Sequence, residues 1–372
     1  MKALLCLILS MCLLLEGCWD QKVYEKTGFI LQVGIEGSTN ENKLTITYSS
    51  PVVEPKAKEE VEVISSDDEN LLREFREDSR KISSKLLEGG KIQQILISDS
   101  LATKGISSLL EVFEREPTNP SISYVVIVEG SPKEMIEKAQ NFGDKPRPAF
   151  YLNQLIQNNI QLSYVPEMPI YRFTSIYFSP GIDPIAPFVS LQTNKGKGIE
   201  VTGSALFSGD KYVGKIDTQQ TMLLLSMMGK LKSSVYIDKS FTYEDCPNGK
   251  RGLAYNVSKV KRKLDIELIQ DTPTVNIKLN YTGSLGEFHW NAIPDEKSQI
   301  VIEEALKKDI ENNCKLLLKK LQSTNCDALG VGDYVRAKYN NYWKSIDWYT
   351  TYPTVKFNVN VKVTIGNHGV IN

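Results

Sequence analysis

The chain has 372 residues, 41% apolar and 24% charged, the balance of ordinary globular protein. Lys and Arg total 44 against 45 Asp and Glu, a net charge of −1, so no basic excess points to nucleic acid or anionic lipid. With only two histidines, His289 and His368, a Ser-His-Asp site or a histidine-rich metal centre has little to draw on.

Lys2 precedes an apolar run over residues 3–15, followed by Glu16, Gly17 and Cys18. A secretory signal has this layout: a positive start, roughly 7–15 apolar residues and a small residue at the cut. The run is shorter than the roughly 20 residues a spanning helix needs. Gly17 is small enough for a peptidase pocket, and the Cys18 thiol just past it is placed to take a diacylglycerol. Residues 1–17 are therefore expected to be removed as a lipoprotein signal peptide. The mature chain then starts at a Cys18 carrying covalent diacylglycerol, with an N-acyl chain as a further modification. An ordinary signal peptide or an uncleaved anchor are the competing readings. After Cys18 the longest apolar stretch is 222–228, interrupted by Ser226, so attachment would rest on the lipid. Two acyl chains hold firmly where one is marginal. The other mature cysteines, Cys246, Cys314 and Cys326, are odd in number and do not form a disulfide scaffold. Buried free thiols are expected.

The first segment alternates strands and helices. Residues 28–35 and 43–49 read as strands, 67–88 as a polar helix ended by Gly89-Gly90, 92–97 as a strand and 101–113 as a helix. Residues 122–128 (ISYVVIV) form a β-branched run suited to a central strand, and Ser131-Pro132-Lys133-Glu134 opens another helix. Two prolines in 143–148 suggest a linker. Beyond it, 151–161 reads as helix and 170–178 as strand, and 179–187 is broken by three prolines. Residues 200–207 and 211–215 flank a Ser208-Gly209-Asp210 hairpin turn, and Asp217 caps a helix through 231 with Gln220 at its third position. Residues 233–243, 252–270 and 274–284 supply strands. Val355, Phe357, Val359, Val361, Val363 and Ile365 alternate with polar residues, a strand with one wet face as in an antiparallel sheet. Ile302, Leu306, Ile310, Cys314, Leu317 and Leu321 mark one face of a long helix, and 332–345 reads as a second.

These elements predict a multidomain α+β / α/β protein of three domains. Mixed sheets carry packed helices, and the last part is an antiparallel sheet with two long helices. The expected divisions are 18–145 (α/β), 146–225 (middle, α+β) and 226–372 (C-terminal, α+β).

Chemistry is hard to find. HExxH, CxxC and GxSxG are absent. Ser258-x-x-Lys261 lies in a strand pattern, and Gly330-Val-Gly332 lacks the third glycine of a nucleotide loop and follows a helix. No catalytic residue, cofactor-binding residue or metal ligand is predicted. Trp343, Trp348, Tyr349 and Tyr352 crowd into ten residues. They form a candidate partner surface, since aromatics carry much interface energy, or else they pack the second helix onto the sheet. Asp327, Gly330 and Gly332 are expected to shape the turn between the helices.

The order of these features resembles the C subunit of the spore nutrient germinant receptor, the Ger(x)C lipoproteins. The carriers are Gly17-Cys18-Trp19-Asp20, a first strand ending Gly34-Ile35-Glu36, Gly203-Ser204-Ala205-Leu206-Phe207, and Asp210-Lys211-Tyr212-Val213-Gly214. Cys326-Asp327-Ala328-Leu329-Gly330-Val331-Gly332, Trp343 and the closing strand follow. Glu16 and the tail at Gly366-Asn367-His368-Gly369 depart from the family pattern. The resemblance implies a non-catalytic lipoprotein on the outer surface of the spore inner membrane. It further implies two integral-membrane partners, an A and a B subunit, and a role in nutrient-triggered germination; the charge balance predicts no nucleic-acid partner. A solute-binding lipoprotein of an importer is the alternative.

Overall fold

The computed structural model describes residues 26–37, 43–52, 61–143, 145–192, 198–241, 252–288 and 296–367. An eight-stranded mixed sheet dominates the first 217 residues, in the order β10-β9-β8-β7-β6-β2-β3-β4. Its centre is β2 (Gln32–Gly37), β6 (Gln94–Ser98), β7 (Tyr124–Val128) and β8 (Ile185–Leu191), all parallel. Antiparallel strands close both ends. These are β3 (Leu44–Pro51) and β4 (Val61–Glu69) on one side, β9 (Ile199–Ser208) and β10 (Lys211–Asp217) on the other. A separate pair joins β1 (Thr27–Phe29) to β5 (Leu86–Glu88) in parallel.

The central strands are apolar at consecutive positions because both sheet faces are covered. Ile95, Ile97, Val125 and Ile127 enter one core, with α1 (Leu72–Ile82), α3 (Ser107–Arg115) and α6 (Ile170–Tyr177). Leu96, Val126 and Val128 enter the other, under α4 (Pro132–Ala139) and α5 (Pro148–Gln161). Ser131 caps α4, accepting from Glu134 N at 3.0 Å, with Pro132 in the first turn.

The second sheet has the order β11 (Ser234–Asp238), β12 (Leu253–Ile269), β13 (Thr272–Phe288), β14 (Lys356–Asn367). One of its faces is covered by α8 (Glu296–Ser323), on which Ile302, Leu306, Ile310, Cys314, Leu317 and Leu321 are all buried. Between the two sheets lies α7 (Thr218–Met228), buried from Thr221 through Met227. It starts in a full capping box between Asp217 and Gln220 and stops at Gly229, whose φ of 71° is left-handed. Its residues share one core with both sheets.

Several expectations require correction. Residues 170–178 are β-branched and aromatic, yet form α6, because Ile170 and Phe173 bury at helical spacing behind Pro169. The helix expected over 67–88 shrinks to α1, since β4 continues to Glu69 to pair with β3 and β5 begins at Leu86. The helix expected over 101–113 is split at Gly105, φ 106°, into α2 (Asp99–Ala102) and α3. The last strand is parallel to its neighbour, because the α8 connection returns β14 in the direction of β13, so the second sheet is mixed. The second helix, expected over 332–345, is broken into α9 (Val331–Lys338) and α10 (Asn340–Lys344), and a further short helix, α11 (Trp348–Thr351), follows. Tyr339, at φ −130° and ψ 56°, breaks it. The segments divided near 145 share one sheet, since β7 pairs directly with β8, and the division near 225 falls inside α7.

Candidate functional site: a buried aspartate junction

The family-like residues converge where the first sheet meets the second unit. The loop between α6 and β8 carries Ser179, Gly181 and Asp183; the loop between α8 and α9 carries Asp327 and Gly330, and Gly332 follows in the first turn of α9. Both aspartates are buried, Asp183 at 6% exposure and Asp327 at 2%. Asp327 Oδ1 accepts from Val331 N at 2.9 Å, and its Oδ2 accepts from Gly332 N at 2.8 Å and Trp348 Nε1 at 3.1 Å. The carboxylate thus ties the first turn of α9 to the indole of α11. Asp183 Oδ2 accepts from Asp327 N at 2.7 Å, and Oδ1 accepts from Gly209 N at 2.7 Å in the β9–β10 turn. Asp183 N donates to Asp327 O at 3.0 Å, and Asp333 N to Gly181 O at 2.9 Å. Ser179 Oγ closes the set by donating to Asp333 Oδ1 at 2.9 Å.

Glycines make this close approach possible. A Cβ on Gly332 would stand 2.6 Å from Trp348 Nε1 and 2.7 Å from Gly181 Cα. One on Gly181 would stand 2.3 Å from Asp333 N. Gly330 has a φ of 70°, in the left-handed region.

Burial pushes the Asp327 carboxyl up to about 7; N–H donors from Gly332 and Val331 oppose this, and the Asp183 charge adds to it. Asp183 is pushed up to about 6 by burial against the donors of Gly209 and Asp327. The N–H groups partly repay the cost of removing two carboxylates from water. Cys326, beside them, is fully buried and its thiol is raised well above the ordinary value. Such a thiol is inert. The oxygens of both carboxylates point at backbone and indole donors, so the arrangement clamps chain segments together.

Of the four aromatic candidates, Trp348 and Tyr352 are buried, and Trp343 packs partly buried against the same core. Trp348 lies tilted 5.5 Å from Trp343 and 5.9 Å from Tyr352, centroid to centroid. These three pack; Tyr349 alone is open, 47% exposed. Cys18, Cys246, His289 and His368 lie outside the described residues. Cys314 and Cys326 are free and buried. Gly203 stands in β9 where a Cβ would sit 1.9 Å from Ile216 O. Asp210 holds the start of α3, accepting from Ser107 Oγ at 2.6 Å and Ser107 N at 3.1 Å. Sequence reasoning passed over Gly181 and Asp183. The available signal was an acid and a glycine inside a proline-broken stretch, where a loop must be held by something other than a ladder. A cleft of about 290 Å³ opens between α1 and α3, lined by Ile30, Tyr48, Leu72 and Phe113 with Arg73 and Arg76 at its rim. It lies within the layers of the first sheet. Among the described residues no helix is long and apolar enough to cross a membrane.

A family model described as spore germination protein N-terminal domain matches residues 20–191, and one described as spore germination B3/GerAC like, C-terminal, matches 202–369. The chain belongs to this spore germination GerAC-like family. The spore germination protein GerQC of Bacillus cereus is 24% identical over 99% of this chain and 98% of its own length. The spore germination protein KC of Bacillus subtilis (strain 168) is 21% identical, covering 98% and 95%. The crystal structure of the GerBC protein shares the fold at a TM-score of 0.59 and 17% identity, covering 90% of this chain and 97% of that one. The first match ends with β8 and the second begins within β9, neighbouring strands of one sheet.

Proposed function

We propose that this chain is a lipid-anchored, non-catalytic subunit of a nutrient germinant receptor. It sits on the outer surface of the spore inner membrane and couples two integral-membrane partners. One observation supports the non-catalytic part. The family-like residues Asp327, Gly330 and Gly332, together with Asp183, direct their hydrogen-bonding groups and close contacts inward, building a rigid junction. The Gly17-Cys18 sequence behind a short apolar run supports the anchor. Tethering confines the chain near its partners, so modest contacts suffice for assembly.

The test is Cys18→Ala in the spore former. Unprocessed precursor, weakened membrane attachment and slowed nutrient germination are expected. A variant processed, retained and germinating like wild type overturns the anchoring. Co-purification of the wild-type chain with the A and B subunits tests the coupling; purification without them sinks it. The importer reading is less favoured, because the two sheets are dissimilar units.

A further inference from the structure

We propose that the solvent face of the second sheet is a docking surface for anionic phospholipid headgroups. The register of β12, β13 and β14 sets nine residues in a grid. Lys259 stands opposite Thr282 and Thr364, Lys261 opposite Asn280 and Lys362, and Lys263 opposite Lys278 and Asn360. All nine are exposed. Five are lysines, and the other four are threonine or asparagine. Strands spaced by ~4.8 Å and a rise of ~3.3 Å per residue place the Cα atoms of these five lysines on roughly 10 by 13 Å.

The opposite face is already occupied. Ile277, Leu279, Tyr281, Val359, Val361 and Val363 are buried there. Arg262 turns to that side and donates to Met227 O at 3.0 Å and Tyr334 Oη at 2.9 Å, so it is spent inside. Acids of the solvent face lie outside the grid: Asp265, which pairs with Lys338 at 3.3 Å, and Glu267 toward the β12–β13 turn, and Glu287 at the opposite end.

Like charges directly opposite one another destabilise a sheet. Lys263 and Lys278 are so placed, with Lys261 and Lys362 beside them. A chain of net charge −1 has no compositional need for this concentration. A layer of phosphates relieves the repulsion, and the amides and hydroxyls of Asn280, Asn360, Thr282 and Thr364 add hydrogen bonds to phosphate oxygens. No aromatic ring stands in the grid to stack a base, so single-stranded nucleic acid is disfavoured. The inference rests on the proposed lipid anchor only for proximity to a membrane.

The test uses the full chain purified from membranes and mixed with vesicles of phosphatidylcholine alone or with phosphatidylglycerol added. Brief treatment with an amine-reactive ester, read residue by residue by mass spectrometry, reports exposure. Lys259, Lys261, Lys263, Lys278 and Lys362 are expected to react about tenfold more slowly on the anionic vesicles, with the protection lost at high salt. Lys315 and Lys319 on α8 serve as unchanged controls. Lys261→Glu combined with Lys263→Glu is expected to free Lys259 and Lys278 while circular dichroism stays native. Equal rates on both vesicles overturn the proposal. So does protection that appears only when other membrane proteins are present, which assigns the face to a protein partner. Failure to float with neutral vesicles counts against the anchor; the footprint on anionic vesicles still decides the face.

Discussion

Asp183 and Asp327 bind each other's peptide groups from both directions. Asp327 N donates to Asp183 Oδ2 at 2.7 Å, and Asp183 N donates to Asp327 O at 3.0 Å. Both carboxyls are raised by burial, to about 6 and about 7. A carboxyl whose folded value exceeds its unfolded one holds its proton more tightly in the native state. Its stabilising contribution is full below about pH 4, and is lost as pH rises through about 6 for Asp183 and about 7 for Asp327. Denaturant midpoints should therefore fall as pH rises from about 4 to about 7. The Asp183→Asn, Asp327→Asn double variant should show a flatter profile across that window. An unchanged slope in the double variant would remove these residues as its source.

The glycine contacts predict graded losses. Gly332→Ala puts a methyl into Trp348 and Gly181 and should cost about 1–3 kcal/mol. Gly330→Ala forces a side chain into a φ of 70° and should cost about 1 kcal/mol. Thermal unfolding of the two variants beside wild type checks the ranking; a neutral Gly332→Ala would contradict the close packing.

Trp348 and Tyr349 are adjacent and should behave in opposite ways. Trp348→Ala empties a buried site and strips Asp327 of a donor, an expected loss of about 3–5 kcal/mol. Tyr349→Ala, at a half-open position, should shift stability by less than about 0.5 kcal/mol. If Tyr349 meets a partner, its variant loses co-purification at native stability; if co-purification persists, that docking role is ruled out.

The open edge of β14 is guarded by side chains. Glu311 Oε1 accepts from Val361 N at 2.8 Å, and Glu303 Oε1 accepts from Ile365 N at 2.8 Å, both reaching from α8. Unpaired edge groups recruit other strands. Glu303→Ala with Glu311→Ala should speed hydrogen exchange at these two amides and promote self-association on storage. Unaltered exchange would show the contacts are not formed in solution.

Legibility in the sequence followed how local the deciding physics is. The caps at Ser131 and Asp217, the amphipathic stripe of α8 and the alternation of β14 depend on near neighbours, and each was readable. Residues 170–177 misled because their β-branched and aromatic content favours a strand, whereas their burial is set by distant partners. The direction of β14 is fixed by a connection, and no strand pattern encodes it. Asp327 drew attention through its glycines, but its partner Asp183 is 144 residues away, beyond any spacing rule. The lysine grid was hidden for the same reason: composition averages over the chain, and only register assembles the patch.

The burial of α7 has a consequence for how the chain comes to be made. The first sheet can close once Asp217 has emerged, but the other side of α7 is covered by elements that run on to Asn367. At about 5–20 residues per second, synthesis of that remainder takes on the order of ten seconds. Throughout that interval Met222, Leu223, Leu224 and Met227 lack the partners that the second sheet and α8 bring to the shared core. The nascent chain is therefore at its most adhesive just after its midpoint, and truncation before the final strand should yield a protein that sticks to chaperones and cannot mature.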